Sequence, residues 1–294
     1  MAEKRIMLVP VDFSEVSDKA LRQAHTLSKA LGKRLVLLYV IEDKGGWFSF
    51  FSGEQQKVAR EQIEAKLEAL KARAEKFSGN ETSWIISEGK PYVKILEKAK
   101  ELNAAFIVMG ARGEVTDESE KNYVGTNASK VARSAPCPVI TVNSKITCHN
   151  LRTILLPLDL TRETRQKVTQ AIELATRFNA RIKVMSALWS VGDQVVISEL
   201  QTIIHQVVSF IRNAGIECTG EIVESSSNAR SAVPIILKYA DEQGDIDMIL
   251  IMTQPELGVL EYFISSNAHE MLKHSPYPVM SVQPKELERT SIGF

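Results

Sequence analysis

Arg5-Ile6-Met7-Leu8-Val9-Pro10-Val11-Asp12-Phe13-Ser14 returns as Arg152-Thr153-Ile154-Leu155-Leu156-Pro157-Leu158-Asp159-Leu160-Thr161, each position pairing with one 147 residues later. The pairing runs on without a gap: residues 24–27 fall on 171–174, and 32–38 fall on 179–185. Further along, 106–109 are placed on 249–252 at a shift of 143, and 126–128 and 135–142 on 266–268 and 275–282 at a shift of 140. A period of this length is too long for a solenoid unit and describes a duplicated domain. The boundary is expected near residues 145–150, giving one domain over 1–146 and a second over 147–294.

Within each copy, strand and helix patterns alternate. Residues 6–11 form a short, wholly apolar run of the kind found in a strand buried on both faces. Ser14 or Ser17 then caps a helix whose apolar positions Val16, Ala20, Leu21, Ala24, Leu27 and Leu31 recur at three and four. Strands are expected at 35–41, 84–87, 106–109 and 139–142, and helices at 58–77, 93–102 and 126–133. Opposite charges four apart along the long helix, Lys57/Glu61, Arg60/Glu64 and Lys71/Glu75, describe a solvated face. Strict alternation implies parallel strands joined by right-handed crossovers. The fold class expected is therefore α/β: two repeated doubly wound domains, each a five-stranded parallel sheet with helices on both faces.

Composition agrees with two soluble domains. The chain has 294 residues, 44% hydrophobic and 24% charged, and its 36 Lys+Arg balance 36 Asp+Glu. A net charge of zero gives no long-range pull toward phosphate backbones or anionic membranes, so neither nucleic acid nor membrane is expected as a partner. Cys137, Cys148 and Cys218 have no CxxC spacing, which disfavours a disulfide framework and a structural zinc site. The apolar run at 6–11 is short, interrupted by Pro10 and ended by Asp12, unlike a secretory signal core, and nothing approaches a membrane span. A cytoplasmic protein is expected.

In doubly wound sheets ligands bind outside the carboxyl ends of the strands, where the strand order reverses. That directs attention to Asp12 after the first strand, to Val40 at the end of the second, and to the loop after the fourth. The loop reads Gly110-Ala-Arg-Gly113, then eleven residues, then Gly125-Thr126-Asn127 opening a helix. Glycines let a backbone approach a ligand, and free N–H groups at a helix start favour an anion. Neither a Walker A loop nor a GxGxxG fingerprint occurs.

The set Leu8-Val-Pro-Val-Asp12-Phe-Ser14, Leu38-Tyr-Val40, Ile107-Val-Met-Gly110-x-x-Gly113, Gly125-Thr126 and Ala135-Pro-Cys-Pro138-Val resembles a universal stress protein domain, and through the repeat the whole chain resembles a tandem member. The resemblance implies an adenine-nucleotide-binding α/β fold, a cytoplasmic role in stress survival and, in the ATP-binding members, the pattern Gly-x2-Gly-x9-Gly-Ser/Thr. It implies that Asp12 meets the adenosine, that the Val40 backbone meets the adenine, and that Gly110, Gly113, Gly125, Thr126 and Asn127 wrap ribose and phosphates of ATP, with magnesium. It also implies dimers, which a tandem chain supplies internally as a pseudo-dimer. Two departures stand out. The spacer after Gly113 is eleven residues and carries Glu114, Asp117, Glu118 and Glu120, and Ala128 stands where ATP binders carry a hydroxyl. In the second copy Asp159 persists, but Gly110, Gly113 and Gly125 are matched to Thr253, Glu256 and Ser265, and Val40 to Ala187. The second copy reads as a degenerate, non-binding site.

Other chemistry is thin. The histidines of His269-Glu270-Met-Leu-Lys-His274 are five apart, so they do not share a helix face as a zinc-binding HExxH pair does. They read as solvated positions. His25, His149 and His205 have no nucleophile beside them in the sequence, no catalytic or metal-ligating residue is assigned, and an enzyme is not expected, slow ATP hydrolysis aside. The stretch Gly45-Gly-Trp47-Phe48-Ser-Phe50-Phe51-Ser-Gly53 is either folded under the sheet edge or against the following helix, or it is a mobile apolar lid over the nucleotide site or a contact surface for a partner or for a second chain in a homodimer. The alternative to nucleotide binding is thus a nucleotide-independent scaffold acting through residues 45–53.

Overall fold

A computed structural model describes residues 6–42, 53–112, 126–143, 151–158, 164–188, 194–224, 231–253 and 264–283. The first half runs β1 (Ile6–Pro10), α1 (Glu15–Leu31), β2 (Arg34–Ile41), α2 (Gly53–Ser78), β3 (Thr82–Glu88), α3 (Pro91–Glu101), β4 (Phe106–Gly110), α4 (Thr126–Ser134) and β5 (Val139–Val142). The second repeats it as β6 (Thr153–Pro157), α5 (Thr164–Phe178), β7 (Arg181–Leu188), α6 (Gln194–Asn213), β8 (Cys218–Glu224), α7 (Val233–Gln243), β9 (Met248–Met252), α8 (Ile264–His274) and β10 (Val279–Val282). The expected elements are present with ends moved by one or two residues, except that the long helix begins at Gly53, five residues before the expected start at 58. Ser14 is the cap of α1, accepting from the Ser17 N–H at 3.1 Å. The same left-handed residue ends the first helix of both copies: Gly32 at φ 60° and, 147 positions on, Asn179 at φ 51°.

The two five-stranded sheets are one sheet. Its order among the described residues is β3-β2-β1-β4-β5-β10-β9-β6-β7-β8, parallel within each half and antiparallel only where β5 meets β10. There Ile140 pairs with Met280, while Val139 pairs with Ser281 and Thr141 with Val279. Residue 280 is the counterpart of 140, so the central pair lies on the pseudo-twofold, as an isologous contact requires. Asn143 and Gln283 are counterparts too: the Asn143 amide donates to the Ser275 carbonyl at 2.9 Å, and the Gln283 amide to the Arg133 carbonyl.

Pairing of the strands corrects one alignment. Leu8 pairs with Ile107 in the first half, and Leu155, its counterpart, with Ile249 in the second. The shift at β4 and β9 is therefore 142 rather than 143, and the residue that replaces Gly110 is Met252, not Thr253. Apolar residues fill both strands, so sliding them by one position leaves the hydrophobic pattern unchanged; the ladder fixes the register. On the long helix, Lys57–Glu61 and Arg60–Glu64 are ion pairs as expected. Lys71, however, pairs with Glu68, and Glu75 instead accepts from the Thr82 N–H at 3.1 Å.

The core has a continuous layer and a divided one. On one face α1, α2, α5 and α6 pack over both halves in a single cluster that includes Leu27, Leu67, Ile140, Leu174, Ile211 and Met280. On the other, α3 and α4 cover the first half and α7 and α8 the second. Gln23 of α1 is fully buried, with neither amide atom hydrogen-bonded among the described residues. A buried amide left unpaired costs about 1–3 kcal/mol. Gln23→Leu, similar in volume and without the amide, should raise the unfolding free energy by about 1–2 kcal/mol, read from the urea midpoint. A lower midpoint would mean that the amide has a partner in solution.

His25, also on α1, is buried and stacked on Phe77 with ring centroids 5.7 Å apart. Burial first, then the neighbouring Arg73, push its pKa down to about 4, against an opposing pull from Asp18. Between about pH 6.5 and 4 the unfolded chain therefore binds a proton here that the folded chain refuses, so this residue's effect is loss of stability as pH falls through that window. The loss reaches about 3 kcal/mol at the lower end. Comparing His25→Gln with the parent by denaturant unfolding at pH 7 and pH 4.5 should show a shallower decline in the variant; parallel declines would contradict it.

Candidate functional site

The order β3-β2-β1-β4-β5 reverses between β1 and β4, so their carboxyl ends bound the crevice where a doubly wound fold places its ligand. The structure brings several predicted residues to that edge. Asp12 follows β1 and is exposed; Val40, half-buried, lies one residue before the end of β2; and Gly110 closes β4. Thr126 and Asn127 form the first turn of α4, which leads into β5 beside β4. Gly113 and Gly125, and the acidic residues Glu114, Asp117, Glu118 and Glu120, lie outside the described residues.

Asp12 is held by one oxygen. Its Oδ1 accepts from the Ser14 N–H at 3.0 Å, an Asx turn leading into the helix cap, while Oδ2 has no hydrogen-bond partner among the described residues. The turn carries Phe13 at φ +64°, a left-handed conformation that a bulky residue rarely adopts. Phe13 stacks on Tyr39 at 4.8 Å between centroids, and the Lys66 ammonium lies 5.1 Å from its centroid on α2. Burial, then the Asp12 carboxylate, raise the Tyr39 pKa. This aromatic pair was not singled out in the sequence. The signal available was Phe13 beside Asp12 and Tyr39 beside Val40, but only the turn and the strand register make them neighbours.

Gly110 has a packing reason of its own. A Cβ there would sit 3.0 Å from Val16 Cγ1 and 3.1 Å from the Arg112 carbonyl oxygen, so the glycine lets α1 close onto β4. Ala111 is committed to the sheet through its N–H to the Val142 carbonyl at 2.8 Å. Ala128 is 2% exposed and packs into the core under α4, away from solvent.

The corresponding edge of the second half is built differently. Met252 stands at the place of Gly110, Ala187 at that of Val40, and Thr253 turns its hydroxyl to the Ala132 carbonyl of the other half at 3.3 Å. Asp159, Glu256 and the Ser265 side chain lie outside what is described. Lys167, whose counterpart in the first half is Ala20, is 4% exposed and donates to the Pro157 carbonyl at 2.6 Å, at the carboxyl end of β6. Sequence reasoning missed this buried cation, although the shift of 147 sets it on a core alanine. His269, expected to be solvated, is exposed but hydrogen-bonds Ser129 of the first half at 3.0 Å. Among the described residues no three His, Cys, Asp or Glu side chains are grouped to hold a metal, and no helix is long and apolar enough to cross a membrane.

The model of the universal stress protein family matches residues 4–143 and again 150–283. Universal stress protein YxiE of Bacillus subtilis is 30% identical over 147 residues, which are 46% of this chain and 97% of that protein. A universal stress protein of Methanocaldococcus jannaschii is 27% identical over 144 residues, 46% of this chain and 80% of its own. The fold of the whole chain is similar to the crystal structure of a universal stress protein from Archaeoglobus fulgidus, with a TM-score of 0.75, 20% identity and coverage of 97% and 98% of the two chains.

Proposed function

Because the chain belongs to the universal stress protein family in both halves, we propose that it is a cytoplasmic stress-response protein that binds an adenine nucleotide, ATP, in its first domain, residues 1–146. The second domain, 147–294, serves as its partner across the sheet and binds none. The observation that carries this is an asymmetry at equivalent strand ends: Asp12 with an uncommitted oxygen, and Gly110, in one half, against Met252 and the buried Lys167 in the other.

In this proposal Asp12 Oδ2 accepts from the adenosine, the Val40 backbone meets the base, and Gly110, Gly113, Gly125, Thr126 and Asn127 surround ribose and phosphates, the start of α4 favouring their charge. Magnesium arrives with the triphosphate and offsets the acidic spacer. The role is binding rather than turnover. The test is the nucleotide content of protein purified without added ATP, released by denaturation and identified by chromatography. Retained adenine nucleotide near one per chain supports the proposal. Its absence, together with no binding at millimolar ATP and magnesium, sinks it.

One observation favours the alternative. Packing against Val16 accounts for Gly110 without a ligand, which suits a nucleotide-independent interaction protein acting through residues 45–53, a stretch outside the described residues but for Gly53. That protein would retain no nucleotide.

A further inference from the structure

A cavity of about 810 Å³ lies away from the nucleotide edge, where α1 and α2 of the first half meet the end of α5 of the second. It is lined by Arg22, His25, Lys29, Arg73, Phe77 and Phe178 among others. Small-molecule sites span roughly 300–1,000 Å³ and are mostly apolar with a few placed polar groups. His25 is ten residues along α1 from Glu15, about 15 Å at the helical rise, so the cavity is separate from the crevice at Asp12.

Its lining combines two chemistries. The apolar part is aromatic: Phe77, 65% exposed despite its size, lies within 11° of parallel to the His25 ring, and Phe178 comes from the other half. The charged part is cationic. Arg22, Lys29 and Arg73 line the cavity, and the carboxylate facing them is Asp18, which pairs with Arg22 at 2.9 Å and also with Arg73. One carboxylate thus serves two guanidiniums. Three cations face one carboxylate beside two phenyl rings, a lining that suits an anion carrying an apolar body.

We propose that this cavity is a second ligand site, taking an aromatic carboxylate whose ring lies against Phe77 and Phe178 and whose anionic oxygens accept from the exposed Arg22 guanidinium and Lys29 ammonium at the rim. The Arg73 guanidinium, which also lines the cavity, adds to the positive potential. The site spans both halves, so it belongs to the tandem chain and not to a single domain.

The test uses the full chain and 2-naphthoate as probe, followed by calorimetry and by the imidazole resonances of His25, with 2-naphthamide as the uncharged analogue. Naphthoate should bind once per chain, move the His25 resonances and still bind when the protein is saturated with ATP. The amide should bind at least roughly ten-fold more weakly, the loss expected of a charge-assisted contact. Arg22→Gln with Lys29→Gln, and separately Phe77→Ala, alter exposed side chains and should each weaken binding while the melting temperature holds. Absence of heat and of any His25 shift at millimolar naphthoate would overturn the proposal, as would equal binding of the amide, indifference to all three substitutions, or displacement of naphthoate by ATP. Since ATP binding is measured separately, failure here leaves the nucleotide proposal standing, and the converse holds.

Discussion

Asp12→Ala should weaken ATP binding about 10- to 100-fold, the range expected when a hydrogen bond to a charged group is lost. The side chain is exposed and fixed through one oxygen, so its other oxygen can accept from a ligand at little further ordering cost. Alanine also removes the Asx turn at Ser14, which should cost about 1 kcal/mol of stability. Asp12→Asn separates the two effects. Its carbonyl oxygen retains the contact to the Ser14 N–H while the charge is lost, so it should fold as the parent does and bind ATP with intermediate affinity in calorimetry. Equal affinity in parent, Asn and Ala variants would remove Asp12 from the site.

The largest loss of stability is expected at the joint of the two halves. Ile140 and Met280 are fully buried, directly opposed across the antiparallel pair, and members of one core cluster that spans both halves. Ile140→Ala should cost about 2–4 kcal/mol, because the lost transfer free energy is joined by a cavity that strands on both sides keep open. Met280→Ala should cost a similar amount, and the double variant should depart from additivity by about 0.5 kcal/mol or more, since the two side chains share that cavity. The whole denaturant transition should move, as a single core layer couples the halves. Should only one half of the signal shift, in fluorescence and circular dichroism alike, the halves would be unfolding independently.

The duplication made most of the fold readable. Wholly apolar strands, helical spacing from Val16 to Leu31 and the recurrence of Gly32 as Asn179 are properties of single segments, and each survives in the structure. What was not readable depends on contacts between distant segments. The continuous sheet follows from β5 meeting β10, and nothing in the sequence of either strand says whether its edge is covered by a copy from its own chain. The one-residue slip at β9 has the same origin, since Met248–Met252 is apolar throughout and no polar residue marks its register. Position relative to the strands pointed to Asp12, Val40, Gly110, Thr126 and Asn127, and the structure sets them at the end of the sheet where its strand order reverses, the site we propose. The packing of Val16 on Gly110, the Phe13–Tyr39 stack and the buried Lys167 needed the third dimension.

One fold is used twice, and in the function proposed above only its first copy keeps a nucleotide site. Calorimetric titration of the nucleotide-free full chain with ATP and magnesium tests it directly through the stoichiometry. One equivalent per chain is expected, strongly weakened by Asp12→Ala and unchanged by Lys167→Met in the second half. Two equivalents, or none at millimolar ATP, would contradict it.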